Sequence, residues 1–258
     1  MLNFRTVNIT TIILLAGLCI TGYFTPVPLW FFSVIVIGWL LMTIIGSFFI
    51  KYNYHVKSLL SNREVSGNRI AITFDDGPHP QFTPEILELL RQSGAKATFF
   101  CIGKHIEAHP DLFRKIIDGG HSVGNHTYSH SGYFGFFSSK KVARELEKTN
   151  RVVKELTGLN MRLYRPAYGV TNPHIRKALK VTGLHSVGWS KRSLDTTALD
   201  TETVLKRVTT GLKKGDIILL HDTSAKTVTV LERLLSFMQE RNMQSVTVDS
   251  LFNIKAYA

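Results

Sequence analysis

The sequence predicts an α/β fold, a distorted parallel barrel of seven or eight strand–helix units, preceded by a helical hairpin long enough to cross a membrane. Three observations lead there. Strand-like and helix-like segments alternate from Arg69 onward; ionisable residues recur at or just past the carboxyl ends of different strands; and the first 50 residues hold a single charged side chain, Arg5. Parallel strands joined by helices place all their carboxyl ends on one side, and curling the sheet brings those ends to one mouth, where such folds build active sites.

The apolar segment comes first. Ile9–Phe24 and Leu29–Ile50 are two apolar runs, giving spans of about 8–24 and 29–50, parted by Gly22-Tyr23-Phe24-Thr25-Pro26-Val27-Pro28, which suits a tight turn. A helix of about 20 apolar residues crosses a bilayer. The second run, 22 residues without a charge, meets that length in full and the first meets it narrowly. No small-x-small cleavage site precedes Thr25 and a second span follows at once, so both runs are expected to be retained rather than one being a cleaved leader. Arg5 lies on one flank, Lys51, Lys57 and Arg63 on the other, and the turn has no Lys or Arg, which under the positive-inside rule places both flanks in the cytoplasm. Residues 1–50 therefore read as a membrane anchor, 51–66 as a polar connector and 67–255 as the catalytic-sized domain.

Charge narrows the partners. Beyond residue 50 the chain has 30 Lys and Arg against 19 Asp and Glu, a net of +11. These cations are scattered, without a basic helix or an aromatic ladder, so no nucleic-acid partner is expected. Cys19 and Cys101 form no disulfide framework, and neither repeats nor low-complexity segments occur. Nothing in the sequence speaks to oligomeric state.

Along the domain, Ile70, Ile72 and Phe74 alternate as a half-buried strand should. Thr83 is expected to cap the next helix, with Pro84 at its first position and Gly94 at its end. Ala97–Ile102 reads as a buried strand, Lys104–Asp118 as one helix closed by Gly119-Gly120, and His121–Gly124 as a third strand. Ser138 or Ser139 opens the longest helix, whose Val142, Leu146, Val153 and Leu156 share a face before Gly158. The remaining strands are Arg162–Arg165, Leu184–Trp189, Asp216–Leu220 and Ser245–Val248. Helices start near Asn172-Pro173, Asp200-Thr201 and Thr227.

Two short words carry the chemistry, Thr73-Phe74-Asp75-Asp76-Gly77 and His126-Thr127-Tyr128-Ser129-His130. Hydrolysis of an amide at neutral pH needs a nucleophilic water, which a divalent metal supplies by lowering the water's pKa to about 7. Histidines four apart are expected to project from one side of a helical turn, and one carboxylate completes a three-ligand open site. The other carboxylate is left to take a proton from the water. His221, at the end of a buried apolar strand, is placed to give a proton to the departing amine. Asp195 can pair with such an imidazole or cap a turn beside Thr196-Thr197. His121 reads as structural, and His79 lies near the mouth. His55, His105, His109, His174 and His185 carry no motif. An Asp/His/His set accepts zinc, and also cobalt, manganese, iron or nickel.

Five words in order, Thr73-Phe74-Asp75-Asp76-Gly77-Pro78, Ala97-Thr98-Phe99-Phe100, His126–His130, Arg165-Pro166-Ala167-Tyr168-Gly169 and Leu219-Leu220-His221, resemble the polysaccharide deacetylases, the NodB-homology carbohydrate esterases. The resemblance covers about residues 67–255. It implies a metal-dependent hydrolase of acetamido groups on sugars, with Asp76, His126 and His130 holding a divalent ion, zinc first among them. It further implies Asp75 as base, His221 as acid supported by Asp195, Arg165 orienting the base, and the Tyr168 backbone N–H stabilising the oxyanion. Two departures stand out. Many members have Pro directly before the aromatic, where this chain has Ala167; and the segment Trp189–Thr196 lacks the Asp often found near Ser190 and the Trp often found after the later Asp. The second departure bears on which sugar is bound more than on hydrolysis.

The expected function is a membrane-anchored N-deacetylase of an envelope polysaccharide or peptidoglycan. One alternative is a deacylase or deformylase of a lipid-linked amino sugar, and another, of a different class, a basic glycan- or membrane-binding domain without catalysis. Similarity to wall-modifying enzymes places the catalytic domain outside the cell, opposite to the charge rule. The expected partners are an N-acylated amino-sugar glycan or lipid-linked sugar and the lipid bilayer.

Overall fold

The computed structural model describes residues 3–258. Two long helices come first, α1 (Phe4–Phe24) and α2 (Leu29–Phe48). Asn3 caps α1, its side chain accepting from the N–H groups of Arg5 and Thr6 while Thr6 reaches back to the Asn3 N–H, a reciprocal arrangement that satisfies orphan donors of the first turn. The helices pack together, and Trp39 Nε1–H donates to Asn8 Oδ1 at 2.7 Å across the hairpin. Most of their apolar side chains are exposed, Ile12 at 65% and Leu29 at 81%. An uncovered apolar surface of that extent marks a region built for another environment or partner.

The rest of the chain alternates as expected. In order it forms β1 (Arg69–Asp75), α3 (Phe82–Gln92), β2 (Ala97–Cys101), α4 (Gly103–Ala108), α5 (Pro110–Asp118), β3 (Ser122–Asn125), α6 (Ser139–Thr157), β4 (Leu163–Tyr164), α7 (Pro173–Thr182), β5 (His185–Ser186), β6 (Lys191–Arg192), α8 (Thr201–Thr209), β7 (Ile217–His221), α9 (Ala225–Glu240), β8 (Gln244–Ser245) and α10 (Val248–Phe252). The sheet is parallel, in the order β5-β4-β3-β2-β1-β7-β6, with β8 added beside the start of β1. The expected strand 184–189 pairs with β4 at one end, and the chain then swings across to pair with β7, so residues 185–192 link the two far sides of the sheet. This curls the sheet into the expected distorted barrel.

Strand periodicity sorts the two faces. Ile70, Ile72, Phe74, Phe99, Cys101, Ile218 and Leu220 point outward and pack with the buried faces of the surrounding helices, Ile86 and Leu90 of α3 and Val230, Leu231 and Leu234 of α9 among them. The alternate positions Ala71, Phe100, Leu163, Val187 and Ile217 form a second cluster inside the curl. Phe74 and Phe99 stack at 4.9 Å between centroids, both fully buried; burying such a ring contributes about 1.5–3 kcal/mol. By the same alternation Thr73 and Asp75 face inward, which places a carboxylate at the mouth.

Several expectations are corrected. Residues 104–118 are two helices, broken at His109-Pro110 because the proline lacks the N–H that the first helix would use. The last expected strand is two residues long, and Thr247 caps α10 instead of continuing it. Thr83 lies within α3 rather than at its cap. Its hydroxyl accepts the His79 N–H at 2.7 Å and donates to Asp222, while His79 Nδ1 accepts from the N–H groups of Gln81 and Phe82. His79 thus performs the capping. Within the connector the Leu59 N–H donates to Ser186 O, the Gly188 N–H to Leu59 O and the Asn62 N–H to Gly215 O, tying 59–62 to β5 and to the turn before β7.

Candidate active site

Asp75, Asp76, His126, His130, Tyr168 and His221 line one cleft of about 230 Å³ at the carboxyl ends of the strands, and Arg165 and Asp195 are buried behind it. The positions follow from the strands. Asp75 ends β1 and stands in register with His221 at the end of β7, so two ionisable groups share one face of adjacent strands. Asp76, one residue further, has φ 77. A non-glycine residue there is strained, and such strain persists where surrounding contacts fix it; His105 Nδ1–H donates to the Asp76 carbonyl at 2.7 Å.

The histidine pair reaches the cleft by a route the spacing did not foresee. Residues 126–130 are not a helical turn: Thr127 and His130 have φ of 67° and 46°, and the Thr127 hydroxyl accepts the His130 N–H at 3.1 Å. This tight loop still brings the rings within 4.9 Å of each other. His126 Nε2 and His130 Nε2 each lie 3.4 Å from Asp76 Oδ1, and one ligand atom from each of the three residues falls within 4.8 Å of the others.

That arrangement fits a divalent ion. Donors about 2.1 Å from a tetrahedral ion stand about 3.4 Å apart, the spacing found here. Asp76 Oδ1 is buried without a hydrogen-bond partner among the described residues. His126 Nδ1–H donates to the Arg165 carbonyl at 2.9 Å, which leaves Nε2 bare as a ligand and fixes the ring. Burial, followed by the neighbouring His126, brings His130 down to about 4, so that ring also offers a lone pair at neutral pH. Burial opposes the charge on Asp76, but the electrostatic pull of His126, with His130 and His221 beyond, holds its carboxyl well below the usual range.

On one side of the triad stands Asp75. Arg165, fully buried, places one guanidinium nitrogen 2.8 Å from Asp75 Oδ1 and 2.7 Å from the Thr73 hydroxyl. Its remaining donors go to the carbonyls of Val187 and Gly188, and its plane lies over Phe100 at 4.1 Å. A buried charge needs this degree of pairing. On the other side is His221, whose Nδ1–H donates to Asp195 Oδ1 at 2.8 Å and whose backbone N–H donates to Asp195 Oδ2 at 2.8 Å. Ser193 and Thr227 hydroxyls donate to the same carboxylate. Asp195 therefore orients the imidazole and caps no turn. Burial pulls His221 down, but the hydrogen bond and charge of Asp195, with Asp75 and Asp76 beyond, raise it to about 9.

Tyr168 sits at φ 58 on a short turn, its ring 4.6 Å from that of His130 and its hydroxyl donating to the His130 carbonyl. Its N–H donates to none of the described residues. Ala167 is buried. His121 is structural, its Nδ1 accepting the Ala97 N–H. Sequence reasoning missed His105, Thr73 and Asp222. Asp222 is fully buried behind Gly77, and burial first of all pushes its carboxyl up to about 7; only its place directly after His221 could have pointed to it.

Residues 62–187 match the family model described as polysaccharide deacetylase. The chain is 35% identical over 199 residues to a peptidoglycan-N-acetylglucosamine deacetylase of Bacillus cereus, an alignment covering 74% of this chain and 92% of that protein. Among solved structures, the Bc1960 peptidoglycan N-acetylglucosamine deacetylase superposes with a TM-score of 0.71 at 29% identity, covering 77% of this chain and 94% of that one. The peptidoglycan deacetylase PdaC from Bacillus subtilis superposes with a TM-score of 0.69 at 28% identity, covering 73% and 91%.

Proposed function

This chain belongs to the polysaccharide deacetylase family and is an amide hydrolase of that kind; from that premise we propose that it removes N-acetyl groups from amino sugars of peptidoglycan or a related envelope glycan, as a membrane-anchored, metal-dependent enzyme. The observation that carries the reading is the convergence of Asp76, His126 and His130 on one point between Asp75 and His221. Asp76, His126 and His130 would hold the divalent ion, zinc by preference, which supplies an acidified water and polarises the acetamido carbonyl.

The chain's own residues divide the remaining work. Asp75, held by Arg165, takes a proton from the attacking water as its oxygen bonds to the carbonyl carbon. The unpartnered Tyr168 N–H is the donor available to the oxyanion. His221, protonated through Asp195, gives its proton to the amide nitrogen as the C–N bond breaks, so that acetate and a free amine leave. The exposed apolar faces of α1 and α2 support a bilayer-spanning hairpin, in which case Asn3 and the catalytic domain lie on the same side.

Acetate release from peptidoglycan and N-acetylglucosamine oligomers by the full chain, with zinc, cobalt or manganese supplied, tests the reaction. No release from either would sink it. A second reading, deacylation of a lipid-linked amino sugar, is favoured by one contact: the Thr171 N–H donates to Ser47 O at 2.9 Å, joining the end of α2 to the loop that carries Tyr168. A bilayer-embedded hairpin would set the cleft close to the lipid surface. Release from polymer but not from a lipid-linked N-acetyl sugar excludes this second reading. A reporter fused after Ala258 identifies the face of the membrane and so the substrates within reach.

A further inference from the structure

A second cavity, of about 710 Å³, lies away from the catalytic cleft where the hairpin meets the barrel. The start of α1, residues 53–59, α7 and β5 wall it. Four cations line it, Arg5, Lys57, Arg176 and Lys180, and no Asp or Glu does. All four are exposed, and among the described residues none has an ion-pair or hydrogen-bond partner for its charged group. Val56, Leu179 and Leu184 supply an apolar floor. Such charges repel one another, so their gathering is a cost that an anion would relieve.

His55 lines the same cavity and is only 4% exposed. The Ser47 hydroxyl donates to the Thr43 carbonyl at 2.8 Å, so it accepts from His55 Nε2–H at 3.0 Å. Nδ1 is therefore a bare acceptor, and it has no partner among the described residues. Burial, then the charge of Arg176, brings this imidazole down to about 4, so it is neutral at physiological pH. What these cations call for is an anion.

The position of the cavity identifies the source. It lies beside the first residues of α1 and just beyond the end of α2, where the Phe4 N–H donates to Tyr54 O and the Phe4 ring packs on His55 at 4.9 Å. In a bilayer spanned by the hairpin that is headgroup depth. We propose that this cavity binds the headgroup of an anionic glycerophospholipid, phosphatidylglycerol being the simplest. The four cations hold its phosphate, and the acyl chains leave along the apolar flank of the hairpin. The proposal rests on the membrane reading of α1 and α2.

The test is native mass spectrometry of the full chain in dodecyl maltoside, titrated with dioctanoyl phosphatidylglycerol, dioctanoyl phosphatidic acid, dioctanoyl phosphatidylcholine and inorganic phosphate. One phosphatidylglycerol should be retained per chain, bound at least about tenfold more tightly than phosphatidylcholine and not displaced by millimolar phosphate. Arg176→Gln combined with Lys180→Gln, both on the exposed face of α7, should weaken it by about tenfold or more. Phosphatidic acid, which presents an anionic phosphate to the same cations, should likewise outcompete phosphatidylcholine. Equal retention of phosphatidylcholine, displacement by phosphate, or an unchanged charge variant overturns the proposal. Alkaline carbonate extraction separates the two failures: a chain released from membranes overturns the membrane reading and the proposal with it, whereas a chain retained without lipid preference overturns the proposal alone.

Discussion

Replacing Asp195 by Asn should move the alkaline limb of the pH–rate profile and leave the acid limb nearly in place. The substitution keeps a carbonyl to accept from His221 Nδ1–H and removes the charge that lies 2.8 Å away. With Asp195 the imidazole titrates near 9, against an ordinary value of 6.5. Because the proposed acid must be protonated, activity should fall as pH rises through the His221 pKa; without Asp195 that pKa falls to about 6.5, since burial is then opposed only by the charges of Asp75 and Asp76. At pH 8 the protonated fraction drops from about nine-tenths to about 0.03, a loss of about thirtyfold in kcat, while the two enzymes converge below pH 6. A bound divalent ion repels the imidazolium and shifts both limbs downward together, preserving the separation. Stability follows the same sign. A raised histidine pKa stabilises the fold fully below 6.5 and the contribution vanishes as pH rises through about 9; the difference in melting between wild type and Asp195→Asn should shrink along that window. Acetate release from N-acetylglucosamine oligomers between pH 5 and 10, at saturating metal, reads the profile. Coincident alkaline limbs would refute the assignment of His221 as the acid governed by Asp195.

Other perturbations address the remaining parts. Asp76→Ala should abolish stoichiometric binding of a divalent ion, measured by elemental analysis after dialysis, together with acetate release; an unchanged ion content would remove Asp76 from the site. Arg165→Ala leaves the buried Asp75 carboxylate without its cation and should destabilise the domain by about 3–5 kcal/mol in denaturant melts, whereas a change below about 0.5 kcal/mol would mean that solvent reaches the pair. Gly77→Ala would place a methyl 2.1 Å from Asp222 Oδ2. It should cost about 1–3 kcal/mol and weaken metal binding through the adjoining Asp76, and wild-type melting would disprove the close approach.

The fold was legible where hydrophobic periodicity and punctuation agreed. β1 shows this best: Ile70, Ile72 and Phe74 alternate in the sequence and pack outward in the structure, which forces Thr73 and Asp75 inward. The site was legible because its residues fall at strand ends, and a parallel sheet collects those ends without further information. Less visible were features set by tertiary contact. Positive φ at Thr127 and His130 gives no signal in residue types that usually avoid it, so the histidine pair looked helical. Thr83 has the composition of a cap, but its hydroxyl is occupied, accepting from the His79 N–H and donating to the distant Asp222. Residues 184–189 read as one strand because nothing there announces that the chain leaves β4 and goes on to pair with β7. His55 carried no motif at all, since its surroundings are assembled from α2, α7 and the segment between hairpin and barrel.

The proposed membrane anchor and the proposed catalytic machinery meet at α7, and this argues that the hairpin does more than tether. Tyr168 and Thr171 lie on the turn that enters α7, and the Thr171 N–H is held by Ser47 at the end of α2. Arg176, Leu179 and Lys180, on the same helix, line the basic cavity beside His55, whose ring is held by the same Ser47. A shift of α2 relative to the barrel would therefore be felt at both places through one residue: at the cavity through His55 and at the cleft through the turn whose Tyr168 packs on His130. Rigid elements joined by short hydrogen bonds transmit displacement rather than absorb it. In this reading the bilayer, through the depth at which it seats α2, bears on the position of Tyr168 over His130.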